Sequence, residues 1–391
     1  MSTTTPEQRP ADGPEPRRTR KDDHLRLAAE QWTGAGASAA RRNEFDDLEF
    51  VHDALGGVDS DEVDLTASLG EWRWSSPFFI NGMTGGTKQT TEINAQLARV
   101  ARETGVPMAC GSMSIALEDA EAAKGFAVLR EENPDGFLFA NVGAGRSADD
   151  AARAVELIAA DGLQLHVNAV QETVMPEGSR DFSSWLRDVE DIVAHAGVPV
   201  VVKEVGFGLT RRALSRLADV GVQIADVGGR GGTDFLAIEN ARRQAGDYSF
   251  LTGYGQSAPA CLLEAHADGH GSAAEIFGGP GGADGPDRGF VPTLLASGGV
   301  RNPLDVAKAL ALGASAVGVA GTFLDVVQRG GEEALSAVIL DWQTKLRELL
   351  GLIGAGDVEA MRRTDVLVRG RLREYCELRG VDAARLARRA L

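Results

Sequence analysis

Residues 293–321 decide the architecture: Thr293-Leu294-Leu295-Ala296, Ser297-Gly298-Gly299-Val300-Arg301, Asn302-Pro303-Leu304-Asp305, an apolar run to Gly313, then Ala316-Val317-Gly318-Val319-Ala320-Gly321. The first four residues read as a short buried strand, and the Ser-Gly-Gly behind them turns the chain directly into a helix. Asn302 is a natural N-cap, Pro303 suits the first helical position, Asp305 lies three residues after the cap, and Gly313 closes the helix. Ala316–Val319 is a second strand. Strand, glycine turn, helix, strand and glycine turn thus follow without a gap. Two such turns aim backbone N–H groups and helix N-termini outward at the carboxyl ends of parallel strands, where a phosphate is held without any side chain.

Working outward, six more short apolar runs bounded by glycine or asparagine occur at Phe78–Ile80, Val106–Ala109, Phe137–Ala140, Leu163–His166, Val198–Val202 and Gln223–Val227. Between them Thr91–Thr104, Ser147–Ala160, Phe182–Ala196 and Thr210–Val220 carry apolar residues at helical spacing. Eight strand-then-helix units predict a closed (β/α)₈ barrel of the TIM type over residues 77–330. An open doubly wound sheet would need an early glycine fingerprint followed by an acidic ribose partner, and none is evident. Residues 1–19 read as a disordered tail, 20–76 as a capping segment around Trp72 and Trp74, and 331–391 as C-terminal helices. Ala258–Ala267 reads as an extra helix in a long sixth crossover, part of a lid, and 268–290 as a glycine-rich mobile loop. Glu332–Gly351 is amphipathic, suited to core or a subunit contact.

The formal charge of −17 and pI near 4.9 argue against general nucleic-acid or anionic-membrane binding. Cys110, Cys261 and Cys376 are far apart without metal-ligand spacing, so a reducing interior and no structural zinc are expected. With no signal-type apolar core and no bilayer-length apolar run, the expectation is a cytoplasmic enzyme.

In a barrel the strand ends share one face, so the polar residues there converge. These are Asn81 to Gly86, Gly111-Ser112, Asn141-Val142-Gly143, His166-Val167-Asn168, Lys203-Glu204 and Gly228 to Thr233. Strand alternation puts Gln164, His166 and Asn168 on one face, with Gln171 and Glu172 on the loop above. The Glu172 carboxylate suits Mg²⁺ bridged to a phosphate; pairing with a neighbouring lysine or arginine is the structural alternative. Lys203 ends the apolar run Val200-Val201-Val202, a costly burial unless an anionic partner such as a flavin or phosphate is present. Arg20 and Lys21, with His24 one turn on, can clamp a phosphate or form a solvated charge run at a helix start.

The set Arg20-Lys21 with His24, Met83-Thr84-Gly85-Gly86, Gly111-Ser112, Asn141-Val142-Gly143, His166 to Glu172 with Pro176-Glu177-Gly178, Lys203-Glu204-Val205-Gly206, Gly231-Gly232-Thr233 and Ser297-Gly298-Gly299 resembles the type 2 isopentenyl-diphosphate isomerases. The resemblance runs from about Arg20 to Leu350. It implies an FMN- and Mg²⁺-dependent homo-oligomer that interconverts isopentenyl and dimethylallyl diphosphate, with NADPH as flavin reductant. By the same resemblance Met83, Thr84, Gly85, Ser112, Asn141, Lys203 and Thr233 would hold the flavin, and Gly299, Val300, Arg301, Ala320 and Gly321 its phosphate. Arg20, Lys21 and His24 would grip the substrate diphosphate, His166, Asn168 and Gln171 would face the allylic carbons, and Glu172 would bind Mg²⁺. Two departures stand out: Met113-Ser114 occupies the place of the family's Gln-Arg, and Tyr254-Gly255 that of its Trp-Gly. An FMN-dependent 2-hydroxy-acid oxidase or dehydrogenase shares the phosphate turns but usually places a His-x-x-Arg pair near the sixth or seventh strand, which is not evident here. A non-catalytic flavin-binding barrel is the third reading.

Overall fold

A computed structural model describes residues 17–33, 42–83, 85–243, 246–265 and 292–390, with the side chains of 17–20 and 32–33 left out. Thr84, the glycine-rich segment 268–290 and the Arg20 side chain therefore lie outside the described residues.

Helix α1 (Arg17–Thr33) precedes β1 (Leu48–Phe50) and the hairpin β2 (Ala67–Leu69) and β3 (Trp72–Trp74). The barrel strands are β4 (Phe78–Ile80), β5 (Met108–Ala109), β6 (Leu138–Gly143), β7 (Gly162–Val167), β8 (Val200–Glu204), β9 (Ile224–Asp226), β10 (Thr293–Ser297) and β11 (Ala316–Val319). They are all parallel and follow chain order around the ring, and β11 pairs back onto β4, which closes it. All eight runs read from the sequence are strands of this barrel. The helices between them are α2 (Lys88–Thr104), α3 (Ala120–Glu132), α4 (Ala148–Leu157), α5 (Ala169–Val174), α6 (Trp185–His195), α7 (Arg211–Asp219), α8 (Phe235–Arg242), α9 (Ala258–Ala265) and α10 (Pro303–Ala311). At α10 the Asn302 side chain accepts from the Asp305 N–H at 3.1 Å, Pro303 opens the helix, and Gly313 at φ +98° ends it.

The barrel interior is layered. At its amino end the β2–β3 hairpin sets Trp72 and Trp74 against Phe137 and Phe139, with ring centroids 5.0–5.9 Å apart in edge-on contacts. Phe79, Ala109, Val201, Ile224, Leu295 and Ala316 complete this apolar plug. Trp74, Phe139 and Phe79, withdrawn from water, contribute about 1.5–3 kcal/mol each. The segment 20–76 thus serves both ends: its hairpin seals the bottom, while α1 lies over the mouth, where Gln31 and Asp234 exchange two side-chain-to-backbone hydrogen bonds of 2.9–3.0 Å. Helix α1 begins at Arg17, inside the stretch read as tail.

Behind the barrel, α11 (Gly321–Ile353) kinks at Gly331. Its apolar stripe, Leu335, Ile339, Trp342, Leu346 and Leu350, is buried within the chain's own core, so of the two roles read for it the core is the one observed. Then β12 (Val366–Val368) pairs antiparallel with β1, and α12 (Gly370–Arg379) and α13 (Ala383–Leu386) follow. On α12, Tyr375 and Arg379 both meet the buried Glu264 of α9, fastening the C-terminus to the barrel wall.

Candidate functional site

The carboxyl ends of β4, β8, β9, β10 and β11 surround a cleft with about 860 Å³ of non-atom space, its open mouth included. Much of its wall is backbone, from Gly82, Gly206, Gly228, Gly229, Gly232, Gly298, Gly299, Gly318 and Gly321. Gly298 and Gly299 stand at φ +100° and +81°, a region that side-chain-bearing residues avoid. A Cβ on Gly298 would lie 1.8 Å from the Gly229 carbonyl oxygen, so the β10 turn packs directly on the β9 turn. Beside them α11 starts at Ala320 with no side-chain cap. Its first N–H groups open at the cleft wall, where a phosphate would satisfy them.

Among the described residues Lys203 is the one ammonium lining this cleft, and it is only 6% exposed. Among the described residues no hydrogen bond or ion pair reaches it; burial lowers its pKa, and Asp226 and Glu204 counter this only through charge. A buried cation with no contact partner, facing a glycine-walled cleft, fits an electron-rich ring and a phosphate of FMN size. Met83, Thr233, Gly299, Val300, Ala320 and Gly321 also line the cleft. Arg301 turns elsewhere: its guanidinium pairs with Asp46 at 2.7 Å and Asp305 at 2.8 Å, and its N–H donates to Asp305. Gly85 packs where a Cβ would meet the Phe126 ring, and the Ser112 hydroxyl donates to that of Ser114 at 3.2 Å. Met113 is wholly buried.

Between plug and cleft lies a layer of buried polar side chains. Asp226 accepts from the Ser297 hydroxyl at 2.8 Å and from the Asn81 amide at 3.3 Å. Gln164 donates to Asn81 at 3.1 Å and accepts from Asn141 at 3.1 Å, and Asn141 Oδ1 lies 2.9 Å from His166 Nδ1. Burial, and then the charges of Lys203 and Lys21, press the His166 pKa down to about 3, so the ring is neutral. The action of Lys21 on both His166 and Cys110 also locates α1 over this side of the mouth.

A second cluster joins α1, α5 and α8. Glu239, fully buried on α8, receives the Gln171 amide at 2.8 Å and stands 2.8 Å from His24 Nε2. Its other oxygen pairs with Arg242, which reaches on to Glu177 at 3.2 Å. Burial alone would raise the Glu239 pKa, but the bonds and charges of His24, Gln171 and Arg242 outweigh it and hold it at about 2. Gln171 and Glu172, read as loop residues, stand on the short helix α5; Gln171 is 8% exposed, and its Oε1 accepts from Asn168 at 3.1 Å. The Glu172 carboxylate accepts from the Ser179 N–H at 2.8 Å and from Asn168 at 3.4 Å. No cluster of three or more metal-ligating side chains occurs among the described residues.

Glu239 and Asp226 were not singled out from the sequence. A carboxylate inside the apolar run at 223–227 was the available signal for Asp226. For Glu239 the signal was its spacing of three from Arg242, which looks the same on a solvated helix.

A family model described as FMN-dependent dehydrogenase matches residues 288–368. An isopentenyl-diphosphate delta-isomerase of Kitasatospora griseola is 51% identical over 371 residues, 95% of this chain and 95% of that one. The chain belongs to the isopentenyl-diphosphate delta-isomerase family. Family members from Nocardia farcinica (50% identity, 95% of this chain and 96% of that one) and Latilactobacillus sakei (42%, 91% and 95%) align over nearly their whole length. In three dimensions a mandelate oxidase with (S)-2-phenylpropionate aligns at TM-score 0.58 and 19% identity, covering 90% of this chain and 97% of its own. A flavocytochrome b2 mutant aligns at 0.60 and 19%, covering 85% and 80%. These two likenesses establish the barrel fold that the isomerase family shares with such enzymes.

Proposed function

We propose that this chain interconverts isopentenyl and dimethylallyl diphosphate at the barrel mouth, with reduced FMN in the glycine-walled cleft. The observation that carries the reading is the Lys203 ammonium, buried without a contact partner beside two glycine turns and an uncapped helix N-terminus. Bound reduced FMN supplies an acid/base centre for moving a proton between allylic carbons. In this reading the turns at Gly299–Val300 and Ala320-Gly321 hold the phosphate, and Arg301 braces the first from behind through Asp46 and Asp305. Met83, Thr84, Gly85, Ser112, Asn141 and Thr233 surround the flavin, while Arg20, Lys21 and His24 close on the diphosphate from α1. Glu172 gives one carboxylate to a Mg²⁺ that the diphosphate brings with it. Gln171, its amide fixed between Glu239 and Asn168, and the neutral His166 orient the carbon skeleton without offering a strong acid.

NADPH as reductant, a cytoplasmic setting and self-association belong to the same reading; no described helix is long and apolar enough to cross a membrane. The test is anaerobic: protein loaded with FMN, reduced and given Mg²⁺ is expected to exchange solvent deuterium into isopentenyl diphosphate. Oxidation of lactate or glycolate without such exchange would favour a 2-hydroxy-acid oxidase instead.

A further inference from the structure

We propose that Asn81 and Gln164 set the tautomer of His166, placing its proton on Nδ1 and leaving Nε2 as a bare acceptor for the site. The argument starts from a group that can only donate. The Gly82 backbone N–H meets Asn81 Oδ1 at 2.9 Å, which fixes that amide: its oxygen faces Gly82, and its nitrogen faces the Asp226 carboxylate at 3.3 Å. That carboxylate already accepts from Ser297 at 2.8 Å and from the Gly228 N–H at 3.1 Å, so both neighbours of Asn81 demand the same orientation.

The direction then propagates. Gln164 approaches the same Asn81 oxygen at 3.1 Å and has to present Nε2 there, which turns its own oxygen to Asn141. Asn141 donates Nδ2 to that oxygen at 3.1 Å, so Oδ1 is the atom 2.9 Å from His166 Nδ1. An acceptor facing Nδ1 requires the proton to sit there. Asn81, Asn141 and Gln164 are 3%, 5% and 0% exposed, so water does not compete for these bonds. Burial and the charges of Lys203 and Lys21 oppose a second proton on the ring and outweigh the Val142 backbone hydrogen bond that favours it. Nε2, which lies over Gly143 at the carboxyl end of β6, is therefore left able to accept a hydrogen bond and unable to donate one.

The consequence for turnover rests on the reading of His166 as a site residue given above; the tautomer itself does not. The experiment is nitrogen NMR of FMN-loaded enzyme carrying labelled histidine at pH 7, with the His166 signals identified by their loss in His166→Gln. The expected spectrum has the proton on Nδ1 and a bare Nε2. Gln164→Met keeps the buried volume and cuts the chain of bonds in the middle. It is expected to give a mixture of tautomers and to lower kcat, counted per bound FMN, at least about threefold, in step with the misprotonated share, with KM for isopentenyl diphosphate unchanged. A wild-type ring protonated on Nε2 overturns the proposal, as does a Gln164→Met ring still protonated only on Nδ1. Should Gln164→Met not fold, the wild-type spectrum decides alone. Full turnover in His166→Gln would end the site reading of His166 while leaving the tautomer result standing.

Discussion

Gln171 is held by two side chains that ask different things of its amide: Glu239 needs the nitrogen, and the Asn168 amide needs the oxygen, at 2.8 and 3.1 Å. Shortening the side chain by one methylene breaks at least one of these bonds and leaves a buried carboxylate short of a donor. Gln171→Asn is therefore expected to lose about 100-fold or more in kcat, while FMN absorbance per protein stays at the wild-type level because no flavin-cleft residue is touched. Unchanged turnover would remove Gln171 from the proposed role. Arg242 is the other decisive side chain of this cluster, 3% exposed and bound to Glu239 and Glu177 at once. Arg242→Met strips a buried carboxylate of its permanent counter-charge and leaves His24, which is charged only when protonated. A loss on the order of 3 kcal/mol, read from denaturant midpoints, is the expected result. A midpoint equal to wild type would mean that the pair contributes nothing.

At the scale of elements, the β10 turn controls the cleft. Alanine at Gly298 would force a Cβ onto the Gly229 carbonyl at 1.8 Å and demand φ +100° of a residue that avoids it. The expected outcome is weakened FMN retention on gel filtration together with a fall in melting temperature; an enzyme that keeps its flavin would show that the β9 and β10 turns move apart freely. These turns were legible in the sequence because each strand is a short apolar run ended by glycine or asparagine, and because the α10 cap uses residues with one dominant structural meaning, Asn302 and Pro303. Helix α8 was not legible. Its sequence from Ile238 to Arg242 reads as a solvated charged face, and only the arrival of α1 and α5 makes Glu239 a buried one. Helix α5 was read as loop for a related reason: six residues with no side-chain cap give periodicity too little length to register.

Across the whole molecule, residues far apart in the chain meet by stacking three layers in one barrel: aromatic plug, polar relay, glycine-walled cleft. Composition and spacing place the strands, but the sign of a buried charge follows from what the closed barrel puts around it. Glu204 shows this. Burial pushes its carboxyl up to about 8, against the backbone N–H groups of Phe207 and Gly208 and the charge of Lys203, which pull the other way. The unfolded chain releases that proton near pH 4.3, so between there and pH 8 the folded state binds one proton more than the unfolded one. Stability from this group is then complete below about pH 4.3 and declines as pH rises toward 8. Glu239 has the opposite sign, its contribution being present above about pH 4.3 and lost as pH falls toward 2. Glu204→Gln keeps an oxygen for the two N–H groups but has no proton to lose. Melting temperatures of Glu204→Gln and wild type, both without flavin, are expected to diverge from pH 5 to pH 8, the variant gaining at the alkaline end. A difference that stays constant over that range would show that Glu204 is already ionised in the folded protein, and that the two N–H groups and Lys203 outweigh its burial.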